Sequence, residues 1–139
     1  MATVHKEIII NAPPAEVWDA MRDYGAVHQR VVPGFVLETQ LDGKDRIVTF
    51  ANGMVAREVL VTIDDEARRL VYSAAGGRLT HHNASNQIFD DGSGGTRFVW
   101  IADLLPDEVA EAVDAMMEQG ARIAKETLEG ASSRAATIS

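Results

Sequence analysis

Apolar and polar residues recur with two different periods along this chain, a period near two in residues 3–10 and again from Phe35 to about residue 104, and a period of three to four beyond it. Residues 3–10 end in Ile8, Ile9 and Ile10, β-branched side chains that suit a pleated strand. Asn11 and the tandem prolines Pro13 and Pro14 stop that strand. Proline fits the first turn of a helix, where its missing N–H would have no partner anyway, so a short helix is predicted to about Met21. Gly25 and the Pro33-Gly34 turn then mark a second short helix and a loop. From Phe35 onwards six short strands are predicted, over 35–41, 46–50, 54–63, 69–74, 79–89 and 96–104, with turn chemistry between them. Asp42-Gly43 and Asn52-Gly53 accept the positive φ that two-residue hairpin turns require, so the strands are read as consecutive and antiparallel.

The period changes at Pro106. Asp107 and Glu108 suit the positive end of a helix dipole, Arg122 and Lys125 fall in later turns, and Gly130 is a natural terminator. Val109, Val113, Met116, Gly120, Ile123 and Thr127 recur in steps of three and four, while Glu111, Asp114, Glu118 and Arg122 fall largely on the other side. One long amphipathic helix packing on the sheet is the prediction. The stretch from Ala131 to Ser139 is poor in apolar residues and is expected to be a flexible tail. No repeat or linker divides the rest, so residues 1–130 read as a single domain.

Composition narrows the chemistry. The 139 residues include no cysteine, which removes disulfides, thiolate ligands and a cysteine nucleophile. The formal net charge is -8 and no basic stripe occurs, so neither nucleic acid nor an anionic membrane surface is an expected partner. No apolar run approaches the roughly 20 residues that span a bilayer, and the N-terminus lacks the order of a signal peptide. The expected location is the cytoplasm. Asp64-Asp65-Glu66 and Asp90-Asp91 lie in predicted turns, where carboxylates serve local backbone hydrogen bonds. The segment from Asp90 to Gly95 precedes a strand and reads as a hairpin loop, not a phosphate cradle.

The order of one strand, two short helices, six strands and a long helix resembles the START-like or SRPBCC superfamily, which includes polyketide cyclase/dehydrase-like, birch-pollen-allergen-like and abscisic-acid-receptor proteins. The carriers are "INAPPAEVWDAMRDYG", "VPGF", "EVLVTIDDEARRLVYS" and "GGTRFVWIADL", and the resemblance covers residues 3–130. It implies an α+β helix-grip fold, a curved seven-stranded antiparallel sheet around the C-terminal helix with a cavity between them. "GGRLTHHNAS" is similar to the strand start that carries a ligand-closing loop in the hormone receptors, but the histidine before the arginine is absent. The resemblance implies only that loops around Asn52-Gly53 and Gly76-Gly77 frame the cavity mouth.

Within that frame, strict alternation puts Arg57 on the same face as Val55, Val59, Val61 and Ile63. An inward guanidinium would need a carboxylate, from the protein or a ligand. The opposite register, or a bulge, exposes Arg57 and turns Glu58 and Leu60 inward, and both registers stand open. His81 and His82 alternate to opposite faces and cannot share one metal; His5 and His28 have no ligand-like spacing to them, so neither a metal nor a cofactor is expected. His82 shares a face with Ala84, Asn86 and Ile88 and is assigned to the cavity, where it would bond or protonate a ligand, while His81 is assigned to solvent.

Tyr24, Phe35, Val48, Phe50, Val59, Tyr72, Phe98 and Trp100 are further candidates for the walls, and Trp18 for a packing anchor. Met116 and Met117 offer adaptable surface, and Gly120 costs its helix roughly 1 kcal/mol relative to alanine, which suggests space-making or close contact. The expected function is binding of a small hydrophobic or aromatic molecule by a monomer or homodimer. Two alternatives remain: a cyclase or dehydratase acting on a polyketide-like substrate with Arg57 or Tyr72 orienting a carbonyl and His82 exchanging a proton, and an interaction or stress-associated module whose cavity is filled.

Overall fold

The structure is a computed structural model that describes residues 1–138, with the side chains of residues 137 and 138 left aside. Strand β1 (Ala2–Ile10) is followed by helix α1 (Pro14–Arg22), a 3-10 turn (Tyr24–Ala26) and helix α2 (Val27–Arg30). Strands β2 (Val36–Asp42), β3 (Asp45–Phe50), β4 (Val55–Asp64), β5 (Arg69–Ala75), β6 (His81–Asp90) and β7 (Thr96–Leu105) come next. A 3-10 turn (Asp107–Val109) leads into helix α3 (Ala110–Ile138). The seven strands form one antiparallel sheet in the order β1-β7-β6-β5-β4-β3-β2. All turns between β2 and β7 are hairpins, and only the two-helix connection from β1 to β2 crosses from one edge to the other. This curved sheet gripping α3 is the helix-grip architecture.

Gly130 does not end α3, and residues 131–138, expected as a flexible tail, continue it as helix. Glycine costs a helix about 1 kcal/mol, and here helix-compatible residues such as Ala131, Arg134, Ala135 and Ala136 follow it. Ser139, the last residue of the expected tail, lies outside the described residues.

Side chains alternate across each strand, and the inner set builds the core. Ile10, Leu70, Phe98 and Leu104 are at most 2% exposed. In β1 the inner set includes Lys6, whose Nζ reaches Asp114 and Glu118 of α3 at 2.5 and 2.8 Å and ties the helix to the sheet edge. Trp18 is buried, and its indole N–H donates to Asp65 at 2.9 Å, so α1 is anchored to the β4–β5 turn.

The irregular strand is β4. Its pairing with β5 shifts between Leu60 and Thr62, a bulge at Val61 that lets both Leu60 and Ile63 pack against the core although their numbers differ in parity. Ahead of the bulge the inner positions are Ala56 and Glu58, and Val55, Val59 and Val61 are exposed. Arg57 therefore faces outward. Its guanidinium bonds Asp42 and Asp45 beside the β2–β3 turn. Valine at an exposed strand position needs no core to justify it, because its branched side chain suits the pleated backbone.

Candidate functional site

Between the sheet and the N-terminal half of α3 lies a cavity of about 430 Å³, inside the ~300–1,000 Å³ range of small-molecule pockets. Val48 and Phe50 of β3, Tyr72 of β5, His82 of β6, and Phe98 and Trp100 of β7 form its sheet wall. Val113, Met116, Met117 and Gly120 of α3 form its roof, and Phe35 closes in beside them. A Cβ added at Gly120 would lie 3.3 Å from Trp100 and 3.4 Å from Phe35. The glycine lets both rings approach the helix backbone and keeps the space below it open.

The rim is made by Met54 and Val55 after the β3–β4 turn and by Gly76, Gly77, Arg78 and Leu79 between β5 and β6. Gly76 and Gly77 both hold positive φ, the backbone region that glycine enters freely. Asn52 and Gly53 shape the opposite turn without touching the cavity.

Against these apolar walls stand a few polar groups. Arg46 and Glu58 lie directly across from one another on β3 and β4, and Arg46 Nε donates to Glu58 Oε1 at 2.7 Å. Their side chains are only 6% and 11% exposed. Arg46 Nη1 also donates to the Tyr24 carbonyl at 3.2 Å, and the guanidinium lies 3.9 Å over the Tyr24 ring. Tyr24 donates its own hydroxyl to the Glu58 carbonyl at 2.9 Å. Thus Tyr24 is buried but stands behind the ion pair and not on the cavity wall, where the sequence reading put it. Arg57 and Val59, also expected to line the cavity, lie on the outer face of β4 because the inner register belongs to Ala56 and Glu58.

The phenol of Tyr72 accepts the Trp100 indole N–H at 3.2 Å. Its own O–H has no acceptor among the described residues. Burial, with the nearby Glu58 charge, pushes this phenol well above the usual tyrosine range, so it stays protonated and is a donor.

His82 occupies a place where the sheet comes apart. The β5–β6 pairing ends at Tyr72 and Ala84, although β5 runs on to Ala75. Across the gap Ser73 Oγ donates to the His82 carbonyl at 2.5 Å, and the Ala74 backbone N–H donates to His82 Nδ1 at 2.9 Å. Nδ1 is thus an acceptor, and the neutral ring carries its proton on Nε2. Burial lowers the His82 pKa, only partly offset by Glu58, which favours the same neutral form. Asn86, two inward positions along the same strand, is 8% exposed, and its Nδ2 is buried with no partner among the described residues.

Sequence reasoning missed Arg46 and Asn86 and left Glu58 undecided. Arg46 shares its alternation with Val48 and Phe50, both assigned inward, and Asn86 shares that of His82, so each was marked by a neighbour's assignment. His81 is exposed. Among the described residues no group of three or more His, Asp or Glu could hold a metal ion, and no helix is long and apolar enough to cross a membrane.

Comparison with known proteins agrees with this architecture. A sequence model for polyketide cyclase / dehydrase and lipid transport proteins matches residues 1–129. No curated protein matches the chain. A putative uncharacterized protein from Bacillus thuringiensis superposes with a TM-score of 0.81 at 17% identity, covering 91% of this chain and 98% of the other. A Thalictrum flavum norcoclaurine synthase point mutant, solved with a transition state analogue, gives 0.67 at 19% identity over 94% and 96%. The Zhui aromatase/cyclase from a Streptomyces species gives 0.68 at 16% identity over 96% and 94%.

Proposed function

Because the chain belongs to the polyketide cyclase / dehydrase and lipid transport family, itself part of the START-like or SRPBCC superfamily, we propose that it binds a small hydrophobic or aromatic molecule between the sheet and α3. The observation that carries this reading is the cavity of about 430 Å³. Its walls are largely aromatic and aliphatic, its polar groups are few, and its rim opens between two loops. A domain of this size normally fills its interior to crystal-like density, and a void this large forfeits packing contacts. Occupation by a ligand would recover them. The volume also argues against the filled-cavity alternative.

The test is extraction and mass spectrometry of protein purified gently from its native host, together with calorimetric binding of the uncharged probe N-phenyl-1-naphthylamine. Gly120→Leu places a branched side chain against Trp100 and Phe35, inside the ligand volume. It should abolish probe binding and leave the circular dichroism spectrum unchanged. Undiminished binding by a folded Gly120→Leu protein would put the ligand elsewhere.

One observation favours a cyclase or dehydratase acting on a polyketide-like substrate as a second reading. Tyr72 and His82 both line the cavity, each with a donor that has no acceptor among the described residues, and donors of this kind polarise a carbonyl. Nδ1 of His82 is taken by the Ala74 N–H, so this histidine serves such chemistry as a donor and not as a base. Turnover of an added polyketide mimic, lost in Tyr72→Phe, separates this reading from binding alone.

A further inference from the structure

Resting on the ligand-binding reading, we infer that Glu58 sets the charge of the ligand: by occupying Arg46 inside the cavity, it makes this a site for an uncharged molecule bearing a hydrogen-bond acceptor oxygen. Among the described residues Arg46 is the one cation in the cavity interior, and an unengaged guanidinium there would be a ready carboxylate receptor. It is not unengaged. Its Nε is held by Glu58 at 2.7 Å, its Nη1 by the Tyr24 carbonyl at 3.2 Å, and its flat face covers the Tyr24 ring. A carboxylate ligand reaching Arg46 would have to share it with Glu58 or displace Glu58 into an apolar wall, and either outcome leaves a buried negative charge uncompensated.

A cationic ligand meets the converse difficulty, since Glu58 is already spent on Arg46. Arg78, the other charged residue on the lining, belongs to the exposed loop at the rim, where water screens it. It does not offset an ion deep in the cavity.

The unspent polar groups define what the ligand must offer. Tyr72 gives an O–H, His82 an Nε2–H and Asn86 an Nδ2 amide, three donors on two neighbouring strands without acceptors of their own among the described residues. A carboxylate would also satisfy these donors, so they alone do not select charge. Glu58 does, and together they describe a neutral ring compound with carbonyl or hydroxyl oxygens.

Calorimetry with three naphthalenes of matched size, bearing a hydroxymethyl, a carboxylate or an ammoniomethyl group, tests the inference. Wild-type protein should bind the alcohol about tenfold or more tighter than either ion. Glu58→Gln keeps a side chain for Arg46 to bond while removing its charge, and should raise naphthoate affinity about tenfold with little change for the alcohol. Naphthoate binding wild type as tightly as the alcohol does would overturn the inference and leave the binding reading intact. Failure of all three to bind would overturn both. If Glu58→Gln does not fold, the wild-type ranking decides by itself.

Discussion

The two halves of α3 cross the same sheet and use it differently. The C-terminal half turns Leu128 inward, 4% exposed, in a core that also holds Ile10 of β1 and Val17 of α1. The N-terminal half presents Val113, Met116 and Gly120, of which the valine and methionine are only partly buried, over open volume. The contrast teaches that the amphipathic stripe is continuous while its purpose is not: one half holds the domain together and the other roofs a space. Stability should therefore be concentrated in one half and ligand affinity in the other. Leu128→Ala should cost about 3 kcal/mol, since a close-packed site cannot collapse around the lost atoms. Val113→Ala, which only enlarges an existing void, should cost about 1 kcal/mol or less. Urea unfolding of both variants measures the gap, and equal losses would erase the distinction.

The packed half was legible in the sequence because packing leaves a periodic signature. The isoleucine run of β1 and the prolines before α1 each followed from one rule and one neighbour, whereas in α3 the steps of three and four put Ile123 and Thr127 inward where Ala124 and Leu128 are the buried pair. The hollow half was harder for a physical reason. A cavity wall does not need bulky apolar side chains, so in β4 the inward positions hold Ala56 and a paired Glu58 while valines cover the outer face. Counting apolar residues reads such a strand inside out. The bulge at Val61 compounds this, since Ile63, which does pack inward, shares parity with the outward valines. Arg46 was within reach of the alternation in β3, but the pairing that makes its burial tolerable, Glu58 on the next strand, depends on a register no single segment reveals.

A smaller effect sharpens the contrast by pH. His82 lies in the hollow half, and its pKa is lowered below the ordinary 6.5, first by burial. Above 6.5 both folded and unfolded chains carry it neutral, so its full contribution to stability is present. As pH falls below 6.5 the unfolded chain binds a proton that the folded one refuses, and stability declines until the folded-state pKa is passed. Protonation of Nδ1 would also break the bond from Ala74 that bridges the gap between β5 and β6. His82→Asn keeps an acceptor near that N–H and does not titrate. Its unfolding free energy, followed from about pH 7.5 to pH 5, should lack the part of the acid-side decline that wild type shows. Parallel curves for the two proteins would mean that His82 is no more neutral in the fold than outside it.

The smallest effect is expected from the residue that looked most telling in the sequence. Arg57 lies on the outer face of β4, 39% exposed, bridging Asp42 and Asp45. Ion pairs in contact with water lose most of their Coulomb energy to screening and to the entropy of fixing long side chains. The two aspartates it bridges would rehydrate if it were removed. Arg57→Met should leave the affinity for a cavity probe unchanged and the thermal midpoint close to that of wild type, while Glu58→Gln, one residue along the same strand, changes which ligands bind. Adjacent residues with opposite behaviour would establish the inner and outer faces of β4 in solution. A loss of probe affinity in Arg57→Met comparable to that from blocking Gly120 would show that the strand pairs in the other register, and the assignment of Glu58 to the cavity would fall with it.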